Sequence, residues 1–188
     1  DLFIGQEGTL GCIAEITLQL QGMPLDFFDA LVFFEEENEA LDFVERLKGL
    51  KRAALMYPCS VEFFDANSLA FLREDYAAIP ECACGVYFEQ EIDFPQQQDT
   101  VLEYYCGLIE ECGATLDECW FADSATNRNR LAEFRHRLPQ KINEFLRHYG
   151  TRKTATDIAV PDDQFRQMYA LYKDVAQRSG MHYVNFGH

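Results

Sequence analysis

Several common sequence signals are missing from this chain of 188 residues. It has no GxGxxG motif and no Walker-type loop, so it lacks the usual cradles for a nucleotide phosphate. No apolar run approaches the ~20 residues that a membrane span requires, and the start has no basic segment followed by an apolar one. These absences argue against a P-loop enzyme, a transmembrane segment and a signal peptide within the sequence.

Basic residues are also scarce. The chain carries 16 Lys and Arg against 32 Asp and Glu, a formal net charge of -16. Such a surface repels phosphate backbones, which excludes nucleic acid as an expected partner. An anionic substrate would need a local basic pocket, so the few well-placed cations become candidates. The acidity is also explained by solubility alone.

The seven cysteines are odd in number and contain no CxxC pair. Cys59, Cys106 and Cys119 lie among apolar neighbours, which predicts reduced thiols and a cytoplasmic protein. Cys82 and Cys84 could contribute to a metal site, but no second Cys or His pair stands at finger-like spacing. We therefore favour free thiols.

The chain does have the composition of a folded domain. Hydrophobic residues make up 48% and aromatic residues 14%, enough for a substantial core. Apolar periodicity predicts two strand, helix, strand units, one over about 29–64 and one over about 84–122. Two such units predict an α+β fold of ferredoxin-like type, an antiparallel sheet with helices packed on one face.

Two further helices and a last strand follow these units. Apolar residues spaced by three or four predict a long helix over 127–149, which Pro139 should kink or restart. Pro161 with two following acids predicts the start of another helix. Residues 182–188 are typical of a strand.

The first 22 residues differ from the rest. Alternating apolar residues over 9–20 predict a strand, and the break at 21–24 (Gln-Gly-Met-Pro) predicts a domain boundary. Residues 1–22 are expected to be the end of one domain, and residues 23–188 are expected to be a second domain that is truncated at 188.

The opening segment, DLFIGQEGTLGCIAEITLQL, resembles the turn and strand that close the FAD-binding domain in flavoproteins of the vanillyl-alcohol-oxidase type. Two close glycines allow the backbone to approach a bulky or phosphate-bearing ligand. Gln6 stands where the family usually has Ser, and an ordinary β-turn is the structural alternative. The resemblance implies FAD contacts at Glu7, Gly8, Thr9, Leu10, Gly11, Cys12 and Ile13.

A second segment, RHRLPQKINEFLRHYGTRKTATDIAVP, resembles the cap domain of glycolate oxidase, D-lactate dehydrogenase and D-2-hydroxyglutarate dehydrogenase flavoproteins. The resemblance implies that Arg135 and Lys153 hold a substrate carboxylate, which a guanidinium fork and an ammonium suit well. Lys153 stands four residues before Asp157 where the family has two, so Arg152 and Arg137 are alternatives. No residue is assigned as catalytic.

The last residues, Asn185 to His188, resemble the start of the family's GHxGDxNxH segment, whose two His bind a divalent metal. The resemblance implies that His188 is a ligand for zinc, manganese or iron. The three other histidines, at 136, 148 and 182, have no such context and are expected to be surface or packing residues.

Taken along the whole chain, the resemblance implies a C-terminal cap-domain fragment of an FAD-dependent oxidoreductase that oxidises a D-2-hydroxy acid to the 2-oxo acid. Its expected partners are the small acid, the FAD domain of the same protein and an electron-transfer partner. The fragment alone is expected to be inactive and to bind no FAD. The alternative is a non-catalytic ferredoxin-like binding or scaffolding module.

Overall fold

A computed structural model describes residues 2–50, 56–122 and 125–187 of the chain. These residues form five strands and five helices. In chain order they are β1 (Asp26–Phe34), α1 (Glu37–Gly49), β2 (Pro58–Asp65), α2 (Ala66–Arg73), β3 (Cys84–Ile92), α3 (Gln97–Glu111), β4 (Trp120–Phe121), α4 (Ala125–Tyr149), α5 (Phe165–Ser179) and β5 (Phe186–Gly187).

The five strands form one antiparallel sheet in the order β4, β1, β3, β2, β5. β1 and β3 pair over nine residues, from Asp26 opposite Ile92 to Phe34 opposite Cys84. The four strands β4, β1, β3 and β2 therefore come from two strand, helix, strand units whose strands interleave in the sheet. The predicted α+β class and the antiparallel sheet are confirmed.

Side chains alternate between the two faces of each strand, and both faces are covered. On one face Ala30, Val32 and Phe34 join a core with α1, α3 and α5. On the other face Leu31 and Phe33 join a second core with α2 and α4. The sequence predicts helices on one face; the second layer arises because α4 has its own apolar stripe, including Leu131, Phe134 and Leu138.

Local sequence explains most element ends. The carboxylate of Asp65 accepts a hydrogen bond from the N–H of Ser68 at 2.8 Å, which caps the start of α2. Glu37 and Glu39 lie in the first turn of α1, where a negative charge interacts favourably with the positive end of the helix dipole. The register of β2 shifts between Pro58 and Ser60, as the proline predicts.

α4 is one continuous helix of 25 residues across Pro139, where the sequence predicts a kink or a restart. Pro139 is exposed, so its ring meets solvent and not the sheet. Since proline has no N–H, the carbonyl four residues earlier, that of Arg135, loses its helical donor.

The N-terminal segment differs most from the prediction. Residues 11–24 contain no strand, and Ile16, Leu18 and Leu20 are 66%, 74% and 87% exposed. A strand needs a neighbour to complete its hydrogen bonds, and the described sheet does not extend to this segment. Regular pairing begins next to Leu25, whose N–H donates to the carbonyl of Ile92.

Candidate functional site

Part of the sheet face under α4 is polar. Asp29 of β1, Glu62 of β2, and Tyr87 and Glu89 of β3 lie on it, and we call these four residues the polar strip. Asp29 pairs across the strands with Glu89, and Tyr87 pairs with Glu62. Strand alternation puts them on the face of Leu31, whose neighbour on β3 is Tyr87.

Arg135 projects from α4 onto the polar strip. Its Nε and Nη2 donate to the same oxygen of Glu62, at 2.8 and 2.6 Å. Its guanidinium carbon lies 4.9 Å from the centre of the Tyr87 ring, within cation–π range. The two side chains of the ion pair are only 19% and 12% exposed. Burial alone lowers the pKa of Arg135, but the hydrogen bond and charge of Glu62 outweigh it and raise that pKa.

Asp29 is a buried carboxylic acid at the edge of the same strip, 1% exposed. Burial and the nearby charge of Glu89 raise its pKa to about 6, against the lowering effect of Arg128 and Arg135. The Nε of Arg128 lies 3.7 Å from its carboxylate, while the Nη2 of Arg128 binds Asp26 at 2.7 Å. Among the described residues the Oδ1 of Asp29 has no hydrogen-bond partner.

Glu89 links the strip to a cysteine. Its carboxylate accepts hydrogen bonds from the hydroxyl of Tyr87 and from the thiol of Cys59, both at 3.2 Å. Local burial of the thiol and the hydrogen bond to Glu89 raise the pKa of Cys59 to about 12, although much of the residue is exposed. Cys59 therefore stays protonated near neutral pH and is a poor nucleophile.

The end of β5 reaches the neighbourhood of Arg135. Gly187 pairs with Phe63, the residue after Glu62. His188, the predicted metal ligand, lies outside the described residues. Across 2–50, 56–122 and 125–187, no three His, Cys, Asp or Glu residues are grouped to hold a metal ion.

Lys153 lies in an exposed irregular segment after α4. From Arg135 to Tyr149 the helix runs 14 residues, or about 21 Å at 1.5 Å per residue. No hydrogen bond or ion pair between the described side chains joins Lys153 to Arg135. The alternatives are Arg152, which is also exposed, and Arg137, which binds Glu144 at 2.9 Å and Asp75, away from the strip.

The glycine-containing turn near the N-terminus is held by Gln6. Its side chain accepts from the N–H of Leu10 at 2.8 Å and donates to the carbonyl of Gly11 at 3.1 Å. The backbone carbonyl of Gln6 accepts hydrogen bonds from the backbone N–H and the side-chain hydroxyl of Thr9. Gln6 thus has a defined structural role in the position where the family usually has Ser, and it engages two of the amides in the turn.

The backbone of this turn is accessible. Gly8 and Gly11 have φ of 82° and 147°, and Glu7 has φ of 49°. A Cβ added at Gly8 or Gly11 would meet nothing within 4 Å, which leaves room for a large ligand such as FAD to approach the backbone closely. Cys12 and Ile13, the last two predicted contacts, follow in an exposed stretch without regular secondary structure.

A separate groove of about 730 Å³ runs between α2, the C-terminal half of α4 and residues 181–183. Phe71, Phe145 and Tyr149 are among the side chains of its wall. Arg135 does not line this groove, and Lys141, which does, forms an ion pair with Glu74 of the same wall. We place the candidate site at the polar strip because the arginine predicted to bind a carboxylate is there.

Sequence reasoning missed the whole polar strip. Glu62 and Glu89 occupy alternate positions in apolar strands, a pattern that normally marks a solvated face. Asp29 offered a clearer signal, since it is an acid at the start of the continuous apolar run ALVFF. A charge in such a place is rarely buried without a partner.

None of the described helices is both long and apolar enough to cross a bilayer. All seven cysteines are free thiols, as predicted. The apolar neighbours of Cys59, Cys106 and Cys119 in the sequence also predict burial, but Cys59 is exposed and the other two are only half-buried.

Comparison with known proteins gives a consistent result. The family model for FAD linked oxidases, C-terminal domain, matches residues 29–188. The chain is 27% identical over 195 aligned residues to glycolate oxidase subunit GlcD of Bacillus subtilis (strain 168), with all of the chain and 38% of that protein covered. It is 27% identical over 170 residues to a probable mitochondrial D-lactate dehydrogenase of Danio rerio, with 89% of the chain and 32% of that protein covered. The chain thus spans about a third of the length of these relatives.

Proposed function

Because the chain belongs to the family of FAD-linked oxidase C-terminal domains, we propose that it forms the substrate-binding part of an FAD-dependent enzyme that oxidises a D-2-hydroxy acid to the 2-oxo acid. The names of the two relatives, a glycolate oxidase subunit and a probable D-lactate dehydrogenase, favour this substrate class. In this proposal residues 1–22 end the FAD-binding domain and 23–188 form the cap.

Arg135 would hold the substrate carboxylate. Glu62 occupies the Nε and Nη2 side of its guanidinium, so an acid group would approach the opposite edge formed by Nη1 and Nη2. The ring of Tyr87 supports the guanidinium from below. A cation held in this way is already oriented before the substrate arrives, which lowers the entropic cost of binding.

The open glycine turn would supply the contacts to the cofactor. FAD, when bound, supplies the acceptor for the hydride that leaves the substrate carbon. Glu7 to Ile13 would lie along one side of it, and the remaining contacts would come from the rest of the protein. Lys153 would add a second positive charge if its segment folds back over the strip in the complete protein. His188 stays a proposed ligand of a divalent metal.

The observation that carries this proposal is the fixed geometry of Arg135 on the polar strip, between Glu62 and Tyr87. In an acidic chain of net charge -16, a guanidinium that is held in one orientation and has 19% of its side chain exposed is suited to anion binding. The free thiols also fit a reducing compartment such as the cytoplasm.

The test uses the full-length protein that contains this chain, reconstituted with FAD. D-lactate, glycolate and D-2-hydroxyglutarate are mixed with it under anaerobic conditions, and flavin absorbance is followed. We expect bleaching with at least one acid, and Arg135→Lys should raise KM by about tenfold to a hundredfold, since the ammonium cannot reproduce the fork. A matched control is Arg178→Lys on the exposed end of α5. No bleaching with any of the acids would overturn the substrate class and leave a binding module as the better account.

A further inference from the structure

The charges on and beside the polar strip do not balance. Three carboxylates, those of Asp29, Glu62 and Glu89, face two guanidinium groups, those of Arg128 and Arg135. Glu62 is paired with Arg135 at 2.6 Å, and Arg128 is paired with Asp26 at 2.7 Å and approaches Asp29. The cations beside the strip are therefore largely neutralised by carboxylates of the chain itself.

Glu89 is the carboxylate of the strip that forms no ion pair with a described Arg or Lys side chain. Its described hydrogen bonds come from neutral donors, the hydroxyl of Tyr87 and the thiol of Cys59. Those donors orient the side chain without cancelling its charge. Glu89 is half-buried, so its field reaches a ligand on the strip through a medium less polarisable than bulk water.

The position of Glu89 relative to Arg135 is fixed through Tyr87. The ring of Tyr87 lies under the guanidinium of Arg135, and its hydroxyl donates to Glu89. A substrate whose carboxylate binds the exposed part of Arg135 would extend along the solvent-facing edge of the strip, since Asp29, Glu62 and Tyr87 are buried and Glu89 is half-buried. A second carboxylate on that substrate would meet the negative charge of Glu89.

We propose that Glu89 is a specificity-determining residue that makes the site select 2-hydroxy acids with one carboxylate and reject those with two. This proposal rests on the proposed function, and it narrows the substrate to monocarboxylic acids. Repulsion acts here as the discriminating element, because Arg135 attracts the first carboxylate of either kind of acid equally.

The experiment compares a monocarboxylic and a dicarboxylic acid on the full-length FAD-loaded protein. The values of kcat/KM for flavin reduction are measured for D-lactate and D-2-hydroxyglutarate, with wild type, Glu89→Gln and the control Glu103→Gln. Glu103 is exposed on α3, a helix of the opposite sheet face. We expect wild type to favour D-lactate by about a hundredfold, and Glu89→Gln to narrow that ratio about tenfold through the KM of the dicarboxylic acid, with no change in Glu103→Gln.

Salt gives a second measurement that needs no variant. Raising the ionic strength from 0.05 to 0.5 M should reduce the preference of wild type severalfold, since added ions screen repulsion between charges. Equal use of both acids by wild type, or an unchanged ratio in Glu89→Gln, would overturn the role of Glu89 while leaving the 2-hydroxy-acid activity in place. Failure of every acid to reduce the flavin would overturn the proposed function itself.

Discussion

Both Nε and Nη2 of Arg135 donate to one oxygen of Glu62, so a single carboxylate atom fixes the guanidinium in two directions. The pair is mostly buried, which makes it more costly to break than a surface ion pair.

A double-mutant cycle on the 188-residue chain tests this pair. Arg135→Ala should lower the free energy of unfolding by about 2–4 kcal/mol, because the buried Glu62 loses the guanidinium that balances its charge. Combining it with Glu62→Gln should cost less than the sum, with a coupling energy of about 1–3 kcal/mol in urea denaturation. The exposed pair Arg178 and Asp174 serves as the control, at about 0.5 kcal/mol or less. Equal coupling in the two pairs would contradict the buried character of the first.

Asp29 should make stability depend on pH. Its folded pKa of about 6 lies above the ordinary value of 3.8, so the folded state holds a proton that the unfolded state releases. The contribution of Asp29 to the free energy of unfolding therefore becomes less favourable as pH rises from about 4 to about 6. Above pH 6 it stays at that lower value. Asp29→Asn should stabilise the chain, by about 1 kcal/mol more at pH 8 than at pH 5. Urea denaturation at both pH values measures this, with the exposed Asp163→Asn as control. An equal gain at both pH values would show that Asp29 keeps its ordinary pKa.

Two glycines on or beside α3 should respond to alanine in opposite ways. Gly113 has φ of 91°, and a Cβ there would lie 2.6 Å from a carboxylate oxygen of Glu39. Gly113→Ala should cost about 1–2 kcal/mol from backbone strain, even after Glu39 moves aside. Gly107 lies inside α3, and a Cβ there would meet nothing within 4 Å. Gly107→Ala should therefore raise the free energy of unfolding by about 0.5–1 kcal/mol. Thermal unfolding of both variants measures the difference, and a shift in the same direction would contradict this account.

Replacing Pro139 should stabilise α4. Alanine at this position restores the N–H that the carbonyl of Arg135 lacks, and the expected gain is about 1–3 kcal/mol. Pro161 is the matched control, since it stands before α5 with φ of -54°, a value that proline favours. Pro161→Ala should lower the free energy of unfolding by about 0.4–1 kcal/mol, because the unfolded chain gains conformational entropy when the proline is removed. Chemical denaturation of the two variants checks the opposite signs. Destabilisation by Pro139→Ala would mean that the helix depends on the proline.

The elements that sequence predicts well are those whose periodicity reports local packing. The two strand, helix, strand units predicted over about 29–64 and 84–122 correspond to residues 26–65 and 84–121, because their apolar stripes face a core made by the same chain. The antiparallel sheet follows from the two repeated units. Arg135 was identified from the resemblance, and it lies against Glu62 and Tyr87 in the middle of β2 and β3. Its role in substrate binding stays a prediction.

What sequence did not predict depends on pairing between distant segments. The partners of Arg135 come from β2 and β3, 73 and 48 residues earlier in the chain, and no local pattern connects them. The strand expected over 9–20 has the right alternation, yet it needs a neighbour that the described sheet does not provide. The covering of the second sheet face by α2 and α4 likewise depends on how the chain returns after β4.

The exposed segment before Leu25 has a practical consequence. Its alternating Ile16, Leu18 and Leu20 are exposed and pair with no strand of the described sheet, and an alternating apolar segment of this kind can pair with the same segment of another chain. Concentrated preparations of the 188-residue chain should self-associate through this segment while the sheet and helices stay folded. A version that starts at Leu25 keeps the backbone bond to Ile92 and loses the segment.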